Sequence, residues 1–377
     1  MSEGAFLDTR EARTIVGMWA AWSISILLLA AAAQRLPGAS PSPWAAVPDP
    51  PPLARWDSGW YRSVAVEGYR YSGERESNVG FYPLYPLLVR GLSSLTHAPL
   101  LPTGIVLSLL CLGGALLLVG DLFVEWGGPG MGAAGAAVLL CYPTAFFLAA
   151  FYTESLFLLL AAASLWGARR GRWWVAGAAS MAVGLTRFNG FLVAPAVAAY
   201  AVASLRNRGK PRLPPILAVT AAAAGAALYP LYLWRRFGDP LLYVHNKMAG
   251  WSVRPQPFWA LATSTLHEVL AQIRQPTDPA RVALEVGSAA LFVLLTAALF
   301  VERRIPEGIY AAATLLLLFT SGTLSGIQRY VLVLFPCFFP LARVLRPRPA
   351  LAFAYGVVGI GGGVVLLHRF VHWLFVG

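Results

Sequence analysis

The residues best suited to chemistry lie in the segment ARWDSGWYRSVAVEGYRY, residues 54–71, where charged and aromatic side chains are concentrated in an otherwise apolar chain. Its aspartate, Asp57, could take a proton from a hydroxyl while the neighbouring arginines hold a phosphate. We therefore predict that Asp57 is a general base. The alternatives are that its side chain caps a helix, or that the aromatic residues form a helix lying at a membrane interface. The neighbours that we assign to substrate binding or support are Arg55, Trp56, Trp60 and Tyr61.

Isolated basic residues in three later segments are suited to holding a phosphate group. Arg187 lies in GLTRFNGFL, Lys247 in GDPLLYVHNKMAGW and Arg329 in IQRYVLVLFP. Charged side chains beside apolar segments are costly in a membrane and usually mark a function. We predict that these three cations bind a phosphate and that His245 assists them. The alternatives are an arginine that extends to the membrane surface and, for Lys247 and His245, a helix lying on that surface.

Further polar and aromatic residues lie in the same segments or close to them. Glu154 lies in FYTESLF, and Asn189 follows Arg187 by two positions. For Glu154 the alternative is a local role, because a carboxylate in the first turn of a helix interacts favourably with the helix dipole. The residues that we add to the substrate-binding or supporting set are Tyr85, Tyr152, Glu154, Asn189 and Gln328.

The elements that must position these residues are hydrophobic. Of the 377 residues, 58% are hydrophobic and only 12% are charged, and the mean hydropathy is +0.63. A soluble domain carries about 25% charged residues, so the composition predicts an all-α protein that crosses a membrane many times. We expect about eleven transmembrane helices, with a range of ten to twelve. The predicted spans are 14–33, 100–120, 131–150, 153–168, 173–186, 190–205, 213–234, 282–301, 306–322, 328–345 and 350–367.

The distribution of Lys and Arg predicts the orientation. With the N-terminus inside, the inner segments carry 14 basic residues, whereas the short outer segments and the tail carry three. Cytoplasmic segments carry the excess of basic residues, so we predict a cytoplasmic N-terminus and an external C-terminus. The long outer loops are then 34–99 and 235–281, within a single integral membrane domain spanning 1–377. All the candidate residues fall on the outer side, which indicates one external site.

Motifs of several other function classes are absent from the sequence. There is no GxxxxGK[ST] loop, no GxGxxG after a predicted strand, no HExxH and no GxSxG. The three cysteines lie in apolar segments without metal-ligand spacing. The net charge of +12 comes mostly from short clusters between apolar spans, a pattern of membrane topology. We expect membrane lipids as partners, no nucleic-acid partner and no soluble cofactor.

The order of the motifs resembles a known family. RWDSGWYRSVAVEGYRY, FYPLYPLL, YPTAFFLAAFYTESLF, GLTRFNG, GDPLLYVHNK and IQRYVLVLFP together resemble the PIG-V type of mannosyltransferase, in the GT-C class of multi-spanning glycosyltransferases. The resemblance covers roughly residues 14–345. Its most specific element is the RWD segment followed by Gly-Tyr and then by a Phe- and Pro-containing run.

The resemblance implies a glycosyltransferase with a polyprenyl- or dolichyl-phosphate-linked donor, usually of mannose. Transfer would take place on the outer or lumenal face of the membrane, with inversion at the anomeric carbon of the sugar. The acceptor would be lipid-linked or another glycan. The family's acidic residue in the first outer loop corresponds to Asp57. Where the family often has Asp-Ala-Glu, this chain has Asp57, Ser58 and Gly59. A metal site is therefore left open, and Glu67 or Glu154 is the candidate second carboxylate. The membrane would be the cell membrane in a bacterium or the endoplasmic reticulum in a eukaryote.

Two other function classes are the alternatives. A transporter or flippase of lipid-linked sugars would also use broken helices with charged residues. Transporters, however, usually have inverted repeats and sites near the middle of the bilayer, and the sequence has no convincing internal repeat. A non-catalytic membrane assembly protein could use the outer loops for binding, but it would not need an acid among arginines and aromatics.

Overall fold

The computed structural model describes residues 7–36, 50–73, 76–206, 211–250, 278–321 and 323–376, together with residues 209, 257, 267 and 270. Every regular element in this part of the chain is helical. The α-helices are α1 (Thr9–Gln34), α2 (Ser58–Glu67), α3 (Leu84–Thr96), α4 (Leu100–Gly127), α5 (Met131–Leu140), α6 (Glu154–Arg169), α7 (Trp173–Gly184), α8 (Ala194–Leu205), α9 (Leu213–Phe237), α10 (Leu242–Gly250), α11 (Pro279–Val301), α12 (Ile305–Phe319), α13 (Ile327–Tyr330), α14 (Phe335–Leu345) and α15 (Pro349–Val371). The 3₁₀ segments are Asn78–Gly80, Ala145–Leu148, Phe188–Val193 and Val331–Val333.

Long apolar helices make the chain an integral membrane protein. Among the described residues, six helices are long and apolar enough to cross a membrane, and a bent pair raises the number to seven. The six are Thr9–Gln34, Leu100–Gly127, Phe188–Leu205, Leu213–Phe237, Pro279–Val301 and Pro349–Val371. The multi-spanning all-α prediction is confirmed, whereas the count of eleven is not. Each of the eleven predicted spans does contain helix.

Several predicted spans are broken into helices too short to cross the hydrocarbon core alone. Helices α5, α6 and α7 have 10, 16 and 12 residues. At 1.5 Å per residue their lengths are about 15–24 Å, against a hydrocarbon thickness of about 30 Å. Between α5 and α6 the chain passes through the turn at Pro143, whose ring nitrogen has no N–H to continue a helix. These breaks bring polar residues to helix ends.

Helix α6 lies in the interior of the bundle. It packs against α4 on one side and α7 on the other, and Ala161, Ala162 and Leu165 are fully buried. Helices α7 and α9 approach very closely, since a Cβ added at Gly225 would lie 2.3 Å from the carbonyl oxygen of Met181. Small residues permit such contacts between membrane helices, where dispersion forces drive association. Helix α7 leads into the turn that carries Arg187.

The two ends of α6 carry separate groups of charged residues. At its C-terminal end Arg169 pairs with Glu125 of α4 at 2.7 Å, and Arg170 pairs with Asp121 at 2.7 Å. Its N-terminal residue, Glu154, belongs to a different group described below. With 16 residues, α6 separates the two groups by about 24 Å. The charged side chains thus lie at opposite ends of the bundle.

Candidate functional site

Four charged side chains meet at one end of the bundle and form what we term the acid–arginine cluster: Asp57, Glu154, Arg187 and Arg329. Arg329 Nη2 donates to Asp57 Oδ2 at 2.9 Å, and Arg329 Nε donates to Glu154 Oε1 at 2.8 Å. Arg187 Nη1 lies 2.6 Å from the same Glu154 oxygen. One carboxylate oxygen therefore joins the two arginines, and Arg329 joins the two acids.

Breaks between helices supply all four members of the cluster. Asp57 immediately precedes α2, and Glu154 is the first residue of α6. Arg187 immediately precedes the 3₁₀ segment Phe188–Val193, and Arg329 lies in the four-residue helix α13. Because Glu154 is the first residue of α6, its negative charge also interacts favourably with the dipole of that helix. This is the local role considered as an alternative for Glu154.

The cluster is buried except at Asp57. The side chains of Glu154, Arg329 and Arg187 are 0%, 4% and 7% exposed, whereas that of Asp57 is 28% exposed. Two positive and two negative charges balance, which is what buried ions require. Each arginine is isolated in the sequence, but in the fold both are paired with carboxylates. Asp57 is the member that water or a ligand can reach.

Aromatic rings surround the guanidinium groups. The Cζ of Arg329 lies 5.1 Å from the ring centre of Phe147, 4.8 Å from that of Tyr152 and 5.2 Å from that of Tyr330. Arg187 also lies 5.3 Å from the ring centre of Tyr330. A cation over an aromatic face gains roughly 0.5–2 kcal/mol, so these rings help to hold the cations in place. The sequence prediction missed Tyr330 and Phe147. Tyr330 could have been found, because it directly follows Arg329 in the sequence.

The side chain of Asp57 does not cap α2. The residue occupies the position before the helix, but its carboxylate makes no capping hydrogen bond and binds Arg329 instead. The capping alternative is therefore wrong. The Asp57 backbone N–H donates to the Tyr152 hydroxyl at 3.2 Å, and that hydroxyl donates to the Arg55 carbonyl at 3.1 Å. Tyr152 thus positions the backbone on which Asp57 is carried.

The residues beside Asp57 have structural contacts of their own. Arg55 is buried, and its guanidinium donates to the carbonyls of Pro50, Pro51 and Val371 at 2.5, 2.9 and 3.0 Å. Trp56 has a φ of 52°, a conformation that non-glycine residues rarely adopt. Its ring packs against Trp373 and Phe375. These contacts tie the first loop to the C-terminal end of the chain.

Helix α2 packs against the protein beside the cluster through its buried residues. Tyr61 is buried, and its hydroxyl lies 3.3 Å from that of Thr153, which accepts from Arg187 Nη1 at 3.3 Å. Burial raises the pKa of the Tyr61 hydroxyl, which therefore stays protonated. Trp60 stacks on Phe81 at 5.8 Å between ring centres. Thr153 is a third residue that the prediction missed, besides Tyr330 and Phe147, although it adjoins Glu154.

Lys247 lies near the cluster, beside Phe81 and Gly80. Its ammonium is 4.6 Å from the ring centre of Phe81, and its side chain packs on Gly80, where an added Cβ would lie 3.1 Å from Lys247 Cε. Desolvation lowers the Lys247 pKa to about 8; the charge of Asp57 opposes this shift, and those of Arg329 and Arg187 reinforce it. Lys247 is therefore in the electric field of the cluster.

His245 is on the same helix as Lys247 but is not brought to the cluster. Its side chain is 54% exposed, and Nδ1 lies 2.6 Å from Asp239 Oδ2. Glu67, one of the two candidate second carboxylates, pairs with Arg70 at 3.5 Å on the exposed end of α2. Glu154 is the carboxylate that the fold places beside Asp57, through the shared guanidinium of Arg329.

Three other predicted site residues are buried in the surrounding structure. The Tyr85 hydroxyl donates to the Gly104 carbonyl at 2.9 Å, and its ring contacts Tyr61. Gln328 Nε2 donates to the Val376 carbonyl at 2.9 Å. Asn189 is 1% exposed and follows Arg187 in the 3₁₀ segment. These residues support the walls of the site.

The donor set of the cluster offers few metal ligands. In the part of the chain that the structure describes, no group of three or more His, Cys, Asp or Glu side chains is arranged to hold a metal ion. The cation that lies between Asp57 and Glu154 is the guanidinium of Arg329. Arg329 thus occupies the place between the two acids.

Sequence comparison finds a family match over the segment that carries three of the four cluster members. Residues 51–205 match the profile of the family "Mannosyltransferase (PIG-V)". The chain is also 31% identical over 154 residues to GPI alpha-1,6-mannosyltransferase 2 of Rattus norvegicus, a match that covers 37% of this chain and 30% of the rat protein. The chain thus spans less than a third of that relative's length.

Solved structures with a similar arrangement come from the oligosaccharyltransferase of Archaeoglobus fulgidus. The complex with zinc and sulfate has a TM-score of 0.49 at 14% identity, covering 94% of this chain and 53% of that chain. The complex with an inhibitory peptide and a dolichol-phosphate has a TM-score of 0.47 at 15% identity, covering 94% and 56%. The family resemblance indicated by the sequence motifs is confirmed for residues 51–205, which carry the pattern of the PIG-V mannosyltransferases.

Proposed function

We propose that the chain is a membrane glycosyltransferase that moves a mannosyl group from a polyprenyl-phosphate donor to an acceptor hydroxyl. The observation that carries the proposal is the half-buried carboxylate of Asp57, bound to Arg329 at the open side of a buried arginine pair. The match of residues 51–205 to mannosyltransferases supports it, because that segment contains Asp57, Glu154 and Arg187.

The proposed reaction is a single in-line displacement. The acceptor oxygen forms a bond to the anomeric carbon, the bond from that carbon to the phosphate oxygen breaks, and the phosphate leaves with the electron pair. Asp57 takes the proton of the acceptor hydroxyl. One displacement inverts the anomeric carbon. The donor is already activated by its phosphate, so this chemistry needs no nucleotide at the site.

Arginine chemistry supports a phosphate site despite the ion pairs. A guanidinium has five N–H donors, so Arg329 and Arg187 can hold their carboxylates and still offer donors to a phosphate. Lys247 adds a third cation nearby, since its pKa responds to the charge of Asp57. Positive groups aimed at a leaving phosphate stabilise the charge that develops in the transition state. Glu154 then acts as a positioning residue that fixes the two arginines.

We further propose that residues 1–377 form one membrane domain with its site on the outer face and its N-terminus in the cytoplasm. The excess of basic residues in the predicted inner segments supports this orientation. The cluster supports the single domain, because its members range from position 57 to position 329 and are in contact. In a bacterium the membrane would be the cell membrane.

The test is sugar transfer by the purified full-length protein. We expect labelled mannose to move from synthetic mannosyl-phosphoryl-polyprenol to a lipid extract of the native membrane, and no transfer from GDP-mannose under the same conditions. Transfer from GDP-mannose would refute the lipid-linked donor. Movement of the intact donor across a vesicle bilayer, with no transfer of the label, would instead support a flippase.

A further inference from the structure

A second candidate site lies at the end of the bundle opposite the acid–arginine cluster. A cavity of about 620 Å³ opens there between the C-terminal end of α4, the start of α5 and the end of α14. Its walls include Trp126, Met131, Phe339, Arg343 and Arg346. Trp126 follows Glu125, the partner of Arg169 at the C-terminal end of α6. The cavity is thus separated from the cluster by the length of α6.

Two arginines give the mouth of this cavity a positive charge. Arg343 is 62% exposed, and its single ion pair among the described residues is with Glu302 at 3.3 Å. Such an exposed pair contributes little and exchanges readily. Arg346 makes no ion pair with a described residue, and its guanidinium lies against Gly130, where an added Cβ would meet it at 2.7 Å. Both guanidinium groups can therefore turn towards an anion in the cavity.

The aromatic wall brings a third cation close to the cavity. The Cζ of Arg304 lies 5.2 Å from the ring centre of Trp126 and 5.8 Å from that of Phe339. Its Nη2 donates to the Trp126 carbonyl at 3.1 Å. The rings separate this charge from the cavity, and its field adds to that of the two arginines at the mouth.

An apolar groove continues from the charged mouth. A smaller cavity of about 140 Å³ shares Arg346 with the first and runs between α5, α14 and α15. On α5 its wall is one helical face of small side chains, and on α15 it is closed by Tyr355. The residues of that α5 face are Ala134, Ala137 and Val138, and Cys141 continues the wall directly after the helix. Apart from Arg346, the groove is lined by apolar side chains and the ring of Tyr355, so its polarity suits a hydrocarbon chain.

We propose that this mouth and groove together bind an anionic glycerophospholipid of the membrane leaflet opposite the acid–arginine cluster. The phosphate lies between Arg343 and Arg346, and one acyl chain follows the groove along α5. Basic pockets between membrane helices recognise anionic lipid head groups in this way. Helix α15 borders the lipid, because most of its residues face outward from the bundle. The bound lipid fixes α14 and α15 to α5.

The test measures lipid binding to the full-length protein in detergent by native mass spectrometry. Phosphatidylglycerol and phosphatidylcholine with identical acyl chains are titrated separately. We expect one phosphatidylglycerol to bind at lower concentration than any phosphatidylcholine. Arg343→Gln and Arg346→Gln should each weaken phosphatidylglycerol binding about five-fold, and the double variant about 25-fold. Equal binding of the two lipids would overturn the proposal.

A matched control comes from the same segment. Arg348 is exposed, does not line the cavity, and donates Nη1 to the Val344 carbonyl at 2.8 Å. Arg348→Gln should bind phosphatidylglycerol as the unmodified protein does; a loss equal to that of Arg346→Gln would mean that only surface charge matters. Ala137→Leu should weaken binding with both arginines intact, and glycerol phosphate should not compete. Full competition by glycerol phosphate would contradict a role for the groove.

Discussion

At the scale of residues, the cluster depends on the sharing of Glu154 between two arginines. Both guanidinium groups reach the same carboxylate oxygen, at 2.6 and 2.8 Å. Removing the carboxylate would leave two buried cations with only Asp57 as counter-charge. Removing one partner of a buried ion pair costs far more stability than the intact pair contributes, because the remaining charge is desolvated and unpaired.

We predict that Glu154→Gln destabilises the protein, by about 3–5 kcal/mol in the free energy of unfolding. The measurement is thermal or denaturant unfolding of the purified protein in one detergent. Glu67→Gln is the matched control, because the Glu67 ion pair with Arg70 is exposed and should change stability by at most about 1 kcal/mol. Equal stability of the two variants would contradict a supporting role for Glu154.

A second prediction at this scale concerns pH. The Lys247 pKa is lowered to about 8, so the ammonium loses its proton as pH rises through that value. If the cation helps to hold the donor phosphate, donor use measured as kcat/KM should fall above about pH 8. The free energy of unfolding should change in the opposite direction. The pKa of a lysine in the unfolded chain is near 10.4, so between about pH 8 and 10 the unfolded state binds more protons than the folded state. The free energy of unfolding therefore rises with pH in this range.

Lys247→Arg distinguishes this titration from other causes of a pH effect. An arginine stays charged throughout the range, so the fall in kcat/KM above pH 8 should disappear. The control is the unfolding temperature of both proteins across the same pH values. A fall that persists unchanged in Lys247→Arg would exclude Lys247 as its origin.

The sequence identified all four residues of the acid–arginine cluster as candidates, but it did not indicate how they pair. Asp57 was predicted from the charged and aromatic segment 54–71, Arg187 and Arg329 from charge beside apolar segments, and Glu154 from its place in FYTESLF. Glu154 and Arg329 are 175 positions apart in the sequence. Their charges and positions do not indicate that their side chains are in contact in the fold. For the same reason the sequence did not indicate that Arg55, two positions before Asp57, binds the carbonyl of Val371.

At the scale of elements, the positions of the breaks determine what the site contains. Residues 328–345 were predicted as one span, but Ile327–Val333 and Phe335–Leu345 meet at an angle of 89°. Pro336, in the first turn of α14, has no N–H and is compatible with a helix start there. The bend places Arg329 among the interior rings. Hydropathy averages over about 19 residues and cannot resolve such a bend.

The close contact between α7 and α9 gives a prediction for this scale. Gly225→Ala should lower the free energy of unfolding by about 1–3 kcal/mol, because its Cβ would lie 2.3 Å from the backbone carbonyl of Met181. Gly287→Ala in α11 is the control, since an added Cβ there has no neighbour within 4 Å. Thermal unfolding in detergent measures both. Equal effects would contradict the tight contact.

At the scale of the whole molecule, charged groups occupy the two ends of the bundle and apolar helices lie between them. The sequence predicted this separation, because basic residues cluster in segments that alternate with apolar spans. It could not predict that several of those spans are too short to cross alone. Burial of α6 by its neighbours allows such short helices, since their ends meet protein rather than lipid.

Orientation gives a prediction at this scale. In a variant whose three cysteines are replaced by alanine, a single cysteine at Ser94 should react with an impermeant maleimide in intact cells. A single cysteine at Arg172 should react only after the membrane is opened. Both side chains are exposed on the protein, and both positions lie outside the predicted spans, so labelling reports the side of the membrane on which each segment lies. The reverse pattern would invert the topology and place the acid–arginine cluster in the cytoplasm.

The central claim is that Asp57 accepts the proton of the acceptor hydroxyl. Asp57→Asn keeps the size of the side chain and an oxygen for the hydrogen bond from Arg329 Nη2, but it removes the proton acceptor. General bases contribute about 10²–10⁴-fold in rate. The measurement is the initial rate of mannose transfer from mannosyl-phosphoryl-polyprenol by Asp57→Asn, with Glu67→Gln as the control and the unfolding temperature followed in the same detergent. We predict a folded protein with turnover reduced about 10²–10⁴-fold, beside a nearly unchanged control. Turnover of Asp57→Asn close to that of the unmodified protein would contradict the assignment.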